Sequence, residues 1–134
     1  MARTDNILIV EPENTIVDLL AEILTGEGYT VRSASDGPSA FQLSMYQAPT
    51  LLLVEQRLPG TTASALIAQL RGAGLTSMPV VVMSTDSATA ARLDVPSVCA
   101  YLQKPFDIDE LLTCVARYVL PTRGLATAAH ATLS

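Results

Sequence analysis

Five short apolar runs, separated by helical or turn-forming stretches, constrain this chain more than any other feature. They are Ile7-Leu-Ile-Val10, Tyr29-Thr-Val31, Leu51-Leu-Leu-Val54, Val80-Val-Val-Met83 and Ala100-Tyr-Leu-Gln103. A run without alternation suits a strand buried on both faces, and that requires helices above and below a parallel sheet. The intervening segments supply them. Ile16, Leu19, Leu20, Ile23 and Leu24 recur at helical spacing and stop at Gly26 and Gly28. Asp36-Gly-Pro-Ser39 opens a second helix that fades before Pro49, with Pro38 tolerated in the first turn. Thr62 to Arg71 reads as a third, after the turn signal Pro59-Gly60. Ala88 to Leu93 is a weak fourth that Pro96 ends. Asp107 with Glu110 three residues on starts a last helix, whose apolar face is Leu111, Leu112, Val115, Tyr118 and Val119. Strand and helix alternate throughout, which predicts an α/β domain with right-handed crossovers.

The length of 134 residues suits one domain, here 1–120, with a flexible tail or linker stub over 121–134 where Ala, Thr and Gly take over. Thirteen acids against eight bases give a net charge of −5, and no Lys/Arg cluster exists to hold a phosphate backbone, so nucleic acid is not expected as a partner. No apolar run approaches the ~18 residues that span a bilayer, and no charged leader precedes an apolar core. A cytoplasmic protein away from the membrane is expected. Cys99 and Cys114, both in apolar surroundings, read as buried free thiols. The lone histidine, His130, sits in the tail. One lysine, Lys104, stands among seven arginines, which asks what an ammonium does there that a guanidinium cannot.

The residues at the end of each run sharpen that question. The first run ends at Glu11, the third at Glu55, the fourth at Ser84-Thr85 and the fifth at Gln103-Lys104. In an open parallel sheet these positions share the carboxyl edge, where ligand crevices form. Over residues 6–120 the chain resembles the receiver domain of bacterial two-component response regulators. The resemblance rests on Ile7-Leu-Ile-Val-Glu11, Gly28-Tyr-Thr-Val31, Asp36-Gly37, Pro49-Thr-Leu-Leu-Leu-Val-Glu55, Leu58-Pro59-Gly60, Pro79-Val-Val-Val-Met-Ser84 and Tyr101-Leu-Gln-Lys-Pro-Phe106. It implies a flavodoxin-like, doubly wound five-stranded sheet of order 2-1-3-4-5 with helices on both faces. The fourth helix is expected to be short or irregular here, because Asp86 to Cys99 departs from the family pattern.

The resemblance also implies roles. Glu55 falls where the family's phosphoacceptor Asp stands, and Glu11-Pro12 where an acidic pair holds Mg²⁺. Ser84 matches the hydroxyl that bonds the phosphoryl oxygen, Tyr101 the aromatic that swings on activation, and Lys104 the lysine that pairs with carboxylate and phosphate. Two departures stand out. Pro12 has no side-chain oxygen, so Glu11, Glu55 and the backbone carbonyl of Arg57 would hold Mg²⁺ weakly at best. Glu55 carries its carboxylate one methylene further out than Asp, away from in-line attack. The expectation is therefore an atypical receiver that works by protein–protein contact without phosphorylation and needs no cofactor. Its partner would be a histidine kinase or a downstream output protein. Glu55 reads equally as a mimic of the phosphorylated state, bonded to Ser84 and Lys104, or as half of a fixed ion pair that signals nothing. The alternatives are a conventional, phosphorylatable receiver using Mg²⁺, or a small phosphohydrolase-like or lysine-dependent enzyme. Against the enzymes stand Arg57 where a second acid is needed and the lack of a glycine-rich phosphate loop. The oligomeric state is left open, because the face usually used for dimers would be remodelled.

Overall fold

A computed structural model describes residues 5–85 and 98–119. The expected weak helix over 88–93 and the tail at 121–134 lie outside the described residues. The sheet strands are β1 (Asn6–Val10), β2 (Thr30–Ala34), β3 (Leu51–Glu55), β4 (Val80–Ser84) and β5 (Val98–Gln103), all parallel in the order β2-β1-β3-β4-β5. This is the doubly wound order that the resemblance implies. A two-residue antiparallel ladder, Arg57–Leu58 with Thr61–Thr62, comes after β3, where the sequence pattern marks only the turn at Pro59-Gly60. Gly60 turns it at φ +72°, a left-handed conformation that suits glycine.

Because β1, β3 and β4 are buried along their whole length, their alternating side chains feed two separate cores. Leu8, Val10, Leu52, Val54, Val80 and Val82 face α2 (Gly37–Tyr46) and α3 (Ala63–Gly72), which contribute Ala40, Ala63, Leu66, Ile67 and Leu70. Ile7, Ile9, Leu51, Leu53, Val81 and Met83 face α1 (Asn14–Gly26) and the helix over 108–119, through Leu20, Leu24, Leu111, Val115 and Val119. Local chemistry sets the helix starts. Asp36 Oδ1 accepts from the Ser39 amide at 2.8 Å, and Thr62 Oγ1 from the Ala65 amide at 3.2 Å. Asp107 and Glu110 form the reciprocal pair read from the sequence, with side chains accepting from each other's amides at 2.7 and 3.1 Å.

Three details differ from the sequence reading. β2 runs on to Ala34, past Val31, because Arg32 and Ser33 pair with Leu8 and Ile9 although they are polar. Leu19 is 57% exposed: it sits at the margin of the apolar stripe that Ile16, Leu20, Ile23 and Leu24 turn to the core. Cys99 is exposed and not buried, while Cys114 is half-buried. The cause is a bulge. Val80 pairs with Val98 and Val81 with Ala100, which leaves Cys99 as an extra residue on the edge strand β5.

Candidate functional site

The residues at the ends of β1, β3, β4 and β5 meet at one edge because the ladders carry the backbone to a common end. The Glu11 amide bonds the Ala34 carbonyl at 3.0 Å, continuing β1 past Val10. Glu55 closes β3 and pairs in register with Met83. Ser84 is buried at the end of β4, and its carbonyl accepts from the Lys104 amide at 2.7 Å, which fixes Lys104 just beyond β5. The Lys104–Pro105 peptide is cis.

From there Lys104 reaches back over the edge. Its Nζ donates to Glu11 Oε1 at 2.7 Å and stands 2.5 Å from Glu55 Oε1. The contact with Glu55 is an ion pair whose direction falls outside hydrogen-bond geometry. The other carboxylate oxygens turn to the backbone: Glu11 Oε2 accepts from the Glu13 amide at 3.1 Å, and Glu55 Oε2 makes a long 3.4 Å contact with the Arg57 amide. Glu11 is 2% exposed and Glu55 9%. Two buried carboxylates thus share one ammonium.

Burying a carboxylate without a countercharge costs several kcal/mol, and the Lys104 ammonium supplies a countercharge to both. Burial alone would lower the Lys104 pKa. The close polar contacts and negative charge of Glu11 and Glu55 outweigh that and hold it above the ordinary lysine value. The protonated form is therefore favoured by folding, and its stabilisation is complete below the unfolded lysine pKa of about 10.4 and lost as pH rises through the higher folded value. Urea midpoints of the wild type and Lys104→Met are expected to differ by a constant amount from neutral pH to about pH 10, and the gap to narrow above it. A gap that stays flat or widens in alkali contradicts the pairing.

The other candidates read from the sequence fall nearby. Tyr101 pairs with Val82 on β5 and is half-buried against the core that α2 and α3 cover. Pro12 is exposed in the turn before α1, and Arg57 is exposed after β3. Thr85 and Lys104 line a groove of about 390 Å³ with Ile16, Leu19, Leu20, Pro105 and Phe106.

The sequence pattern held no sign of Arg32. Its guanidinium donates to the Leu43 and Gln47 carbonyls at 2.9 and 2.8 Å and to Asn6 Oδ1 at 2.7 Å, tying β2 to the end of α2 and the start of β1. Burial lowers its pKa.

The donor set does not fit the divalent cation that the resemblance implies. Mg²⁺ needs near-octahedral oxygen ligation. Here the two interior carboxylates turn to Lys104, Pro12 offers no side-chain oxygen, and Glu13 is exposed. Among the described residues no three His, Cys, Asp or Glu side chains gather closely enough to hold a metal ion.

Comparison with known proteins agrees with the fold. The sequence matches the response regulator receiver domain over residues 7–116. It is 31% identical over 119 residues to the transcriptional regulatory protein DltR of Streptococcus agalactiae serotype III (strain NEM316), covering 87% of this chain and 51% of that protein. The chain spans about half the length, or less, of the curated relatives it matches. Among solved structures, it superposes on the signal receiver domain of a signal transduction histidine kinase from Syntrophus aciditrophicus with a TM-score of 0.78 at 25% identity, covering 87% of this chain and 90% of that one. The receiver domain of sensor histidine kinase PA1611 from Pseudomonas aeruginosa PAO1, which has a magnesium ion coordinated in its active site cleft, superposes with a TM-score of 0.79 at 22% identity, covering 87% and 98%.

Proposed function

Because the chain belongs to the response regulator receiver domain family, matching it over residues 7–116, we propose that it is an atypical receiver that acts through protein contacts without being phosphorylated. The observation that carries this reading is the Lys104 ammonium held by Glu55 and Glu11 together. Phosphoryl transfer depends on a nucleophile aligned with the phosphorus and on cations that neutralise the charge developing on its oxygens. The carboxylate at the acceptor position is Glu55, a methylene longer than Asp, and one of its oxygens is engaged by Lys104. The position of the second acid in the family's metal pair is held by Pro12. The PA1611 receiver domain coordinates magnesium in its cleft; this chain offers two carboxylates already paired to an ammonium.

A receiver in this state signals by presenting a surface. Its partners are a histidine kinase or a downstream output protein, and in a longer regulator of the DltR kind any contact with DNA would belong to other segments. Among the described residues no helix is long and apolar enough to cross a membrane; a cytoplasmic place in two-component signalling is part of the same proposal. No chemistry on a substrate is assigned to it.

Incubation with acetyl phosphate and MgCl₂, followed by intact-protein mass measurement, tests the reading. The expected result is an unchanged mass under conditions that load a phosphorylatable receiver. A stoichiometric gain of one phosphoryl group overturns it.

A further inference from the structure

The ammonium of Lys104 does more than pair with the acceptor position. It stands between two carboxylates from different strands, 2.7 Å from Glu11 Oε1 and 2.5 Å from Glu55 Oε1, and both carboxylates are buried. We propose that Lys104 is the resident cation of this site, doing for Glu11 and Glu55 what a divalent metal would otherwise do, so that the wild-type chain has no use for Mg²⁺ there. This builds on the receiver reading but not on the absence of phosphorylation, which is tested separately.

Three observations converge on it. First, position: the ammonium lies within contact distance of an oxygen from each carboxylate, so a metal ion bridging the same oxygens would have to displace it. Second, oxygen supply: the outer oxygens of Glu11 and Glu55 are turned to the Glu13 and Arg57 amides, and the neighbouring Pro12 brings no side-chain oxygen. Third, the cation is anchored. The Lys104 amide is bonded to the Ser84 carbonyl at 2.7 Å, and its side chain is only 14% exposed. A tethered ammonium is present at every metal concentration, whereas a bound ion occupies its site only at concentrations above its Kd. The site therefore trades a cation that can be supplied or withdrawn for one that is always present.

The experiment compares thermal midpoints of wild type and Lys104→Met as MgCl₂ is raised, each against a series matched in ionic strength with NaCl. The wild type is expected to show no magnesium-specific shift. Lys104→Met, with both carboxylates left facing an apolar side chain, is expected to melt lower without metal and to rise by about 2 °C at millimolar MgCl₂, the small gain of a weak two-carboxylate site. The same rise is expected to vanish in Glu11→Gln/Lys104→Met. Should Lys104→Met be unfolded without metal, recovery of its circular dichroism on adding MgCl₂ supports the proposal, and failure to recover overturns it. A second measurement needs only the wild type: Mn²⁺ paramagnetic resonance is expected to report free ion alone. A wild-type chain that binds Mn²⁺, or is stabilised specifically by MgCl₂, overturns the proposal. If such a chain still takes no phosphoryl group from acetyl phosphate, the proposed function survives that result; if it takes one, both readings fall.

Discussion

A chain carrying both Pro12→Asp and Glu55→Asp is expected to accept a phosphoryl group from acetyl phosphate in MgCl₂, at a rate roughly 10²-fold or more above the wild type. The shortened carboxylate introduced by Glu55→Asp would attack phosphorus as acetate leaves. The shorter side chain draws the nucleophile back from Lys104, and the new acid beside Glu11 completes an oxygen set on which a hydrated Mg²⁺ can sit. Neither change suffices alone. Glu55→Asp without a second acid leaves the developing charge without a metal, and Pro12→Asp leaves the acceptor a methylene too long. The two substitutions lie within one site, so their effects are expected to exceed the sum of the singles. An intact-mass time course on the four chains checks this. A double variant that stays unmodified shows that the block to phosphorylation lies outside these two positions.

The largest structural effect is expected far from that edge, at Arg32. Replacing it with Met removes three charge-assisted hydrogen bonds, to the Leu43 and Gln47 carbonyls and to Asn6 Oδ1. Bonds to charged groups contribute about 1.5–3 kcal/mol each, but the solvent side of this cluster moderates the sum, so a loss of about 3 kcal/mol is expected. Met retains the apolar stem, which separates the lost bonds from lost packing. Arg32→Lys keeps the charge without the fork and is expected to fall in between, because one ammonium cannot reproduce the same spread of donors. Urea denaturation of the three chains decides it. If Arg32→Met costs less than about 1 kcal/mol, the guanidinium is decoration on an edge that β2 holds by its ladder alone.

How far all this was legible in the sequence depends on where each residue finds its partners. The buried strands announced themselves, since burial on both faces forces continuous apolar runs such as Leu51 to Val54. The end of β2 did not: an edge strand tolerates Arg32 and Ser33, so its residues carry no apolar signature. Helix starts were legible wherever a side chain caps them, at Asp36, Thr62 and Asp107. The bulge at Cys99 was not, because it is a property of how β5 pairs with β4 and leaves no local mark. At the site, the strand-end rule was enough to bring Glu11, Glu55, Ser84 and Lys104 to one edge. That Lys104 serves both carboxylates at once is not legible there; the resemblance implies a pairing with Glu55 alone. Which oxygens a flexible four-carbon stem reaches depends on the twist and spacing of strands far apart in sequence. Arg32 was missed for a related reason. Most of its partners are main-chain carbonyls, and a carbonyl looks the same beneath every residue type.

The contact between Lys104 and Glu11 joins residues 93 positions apart. A ribosome delivers them in a fixed order. Glu11 and Glu55 are synthesised before this lysine, and until it arrives the two carboxylates have no reason to leave water. The first three strands can therefore collapse at their middles while their carboxyl ends remain wet. Closure of that rim waits for nearly the whole domain to be synthesised. The residue that balances the charge is also the one that certifies the sheet as finished.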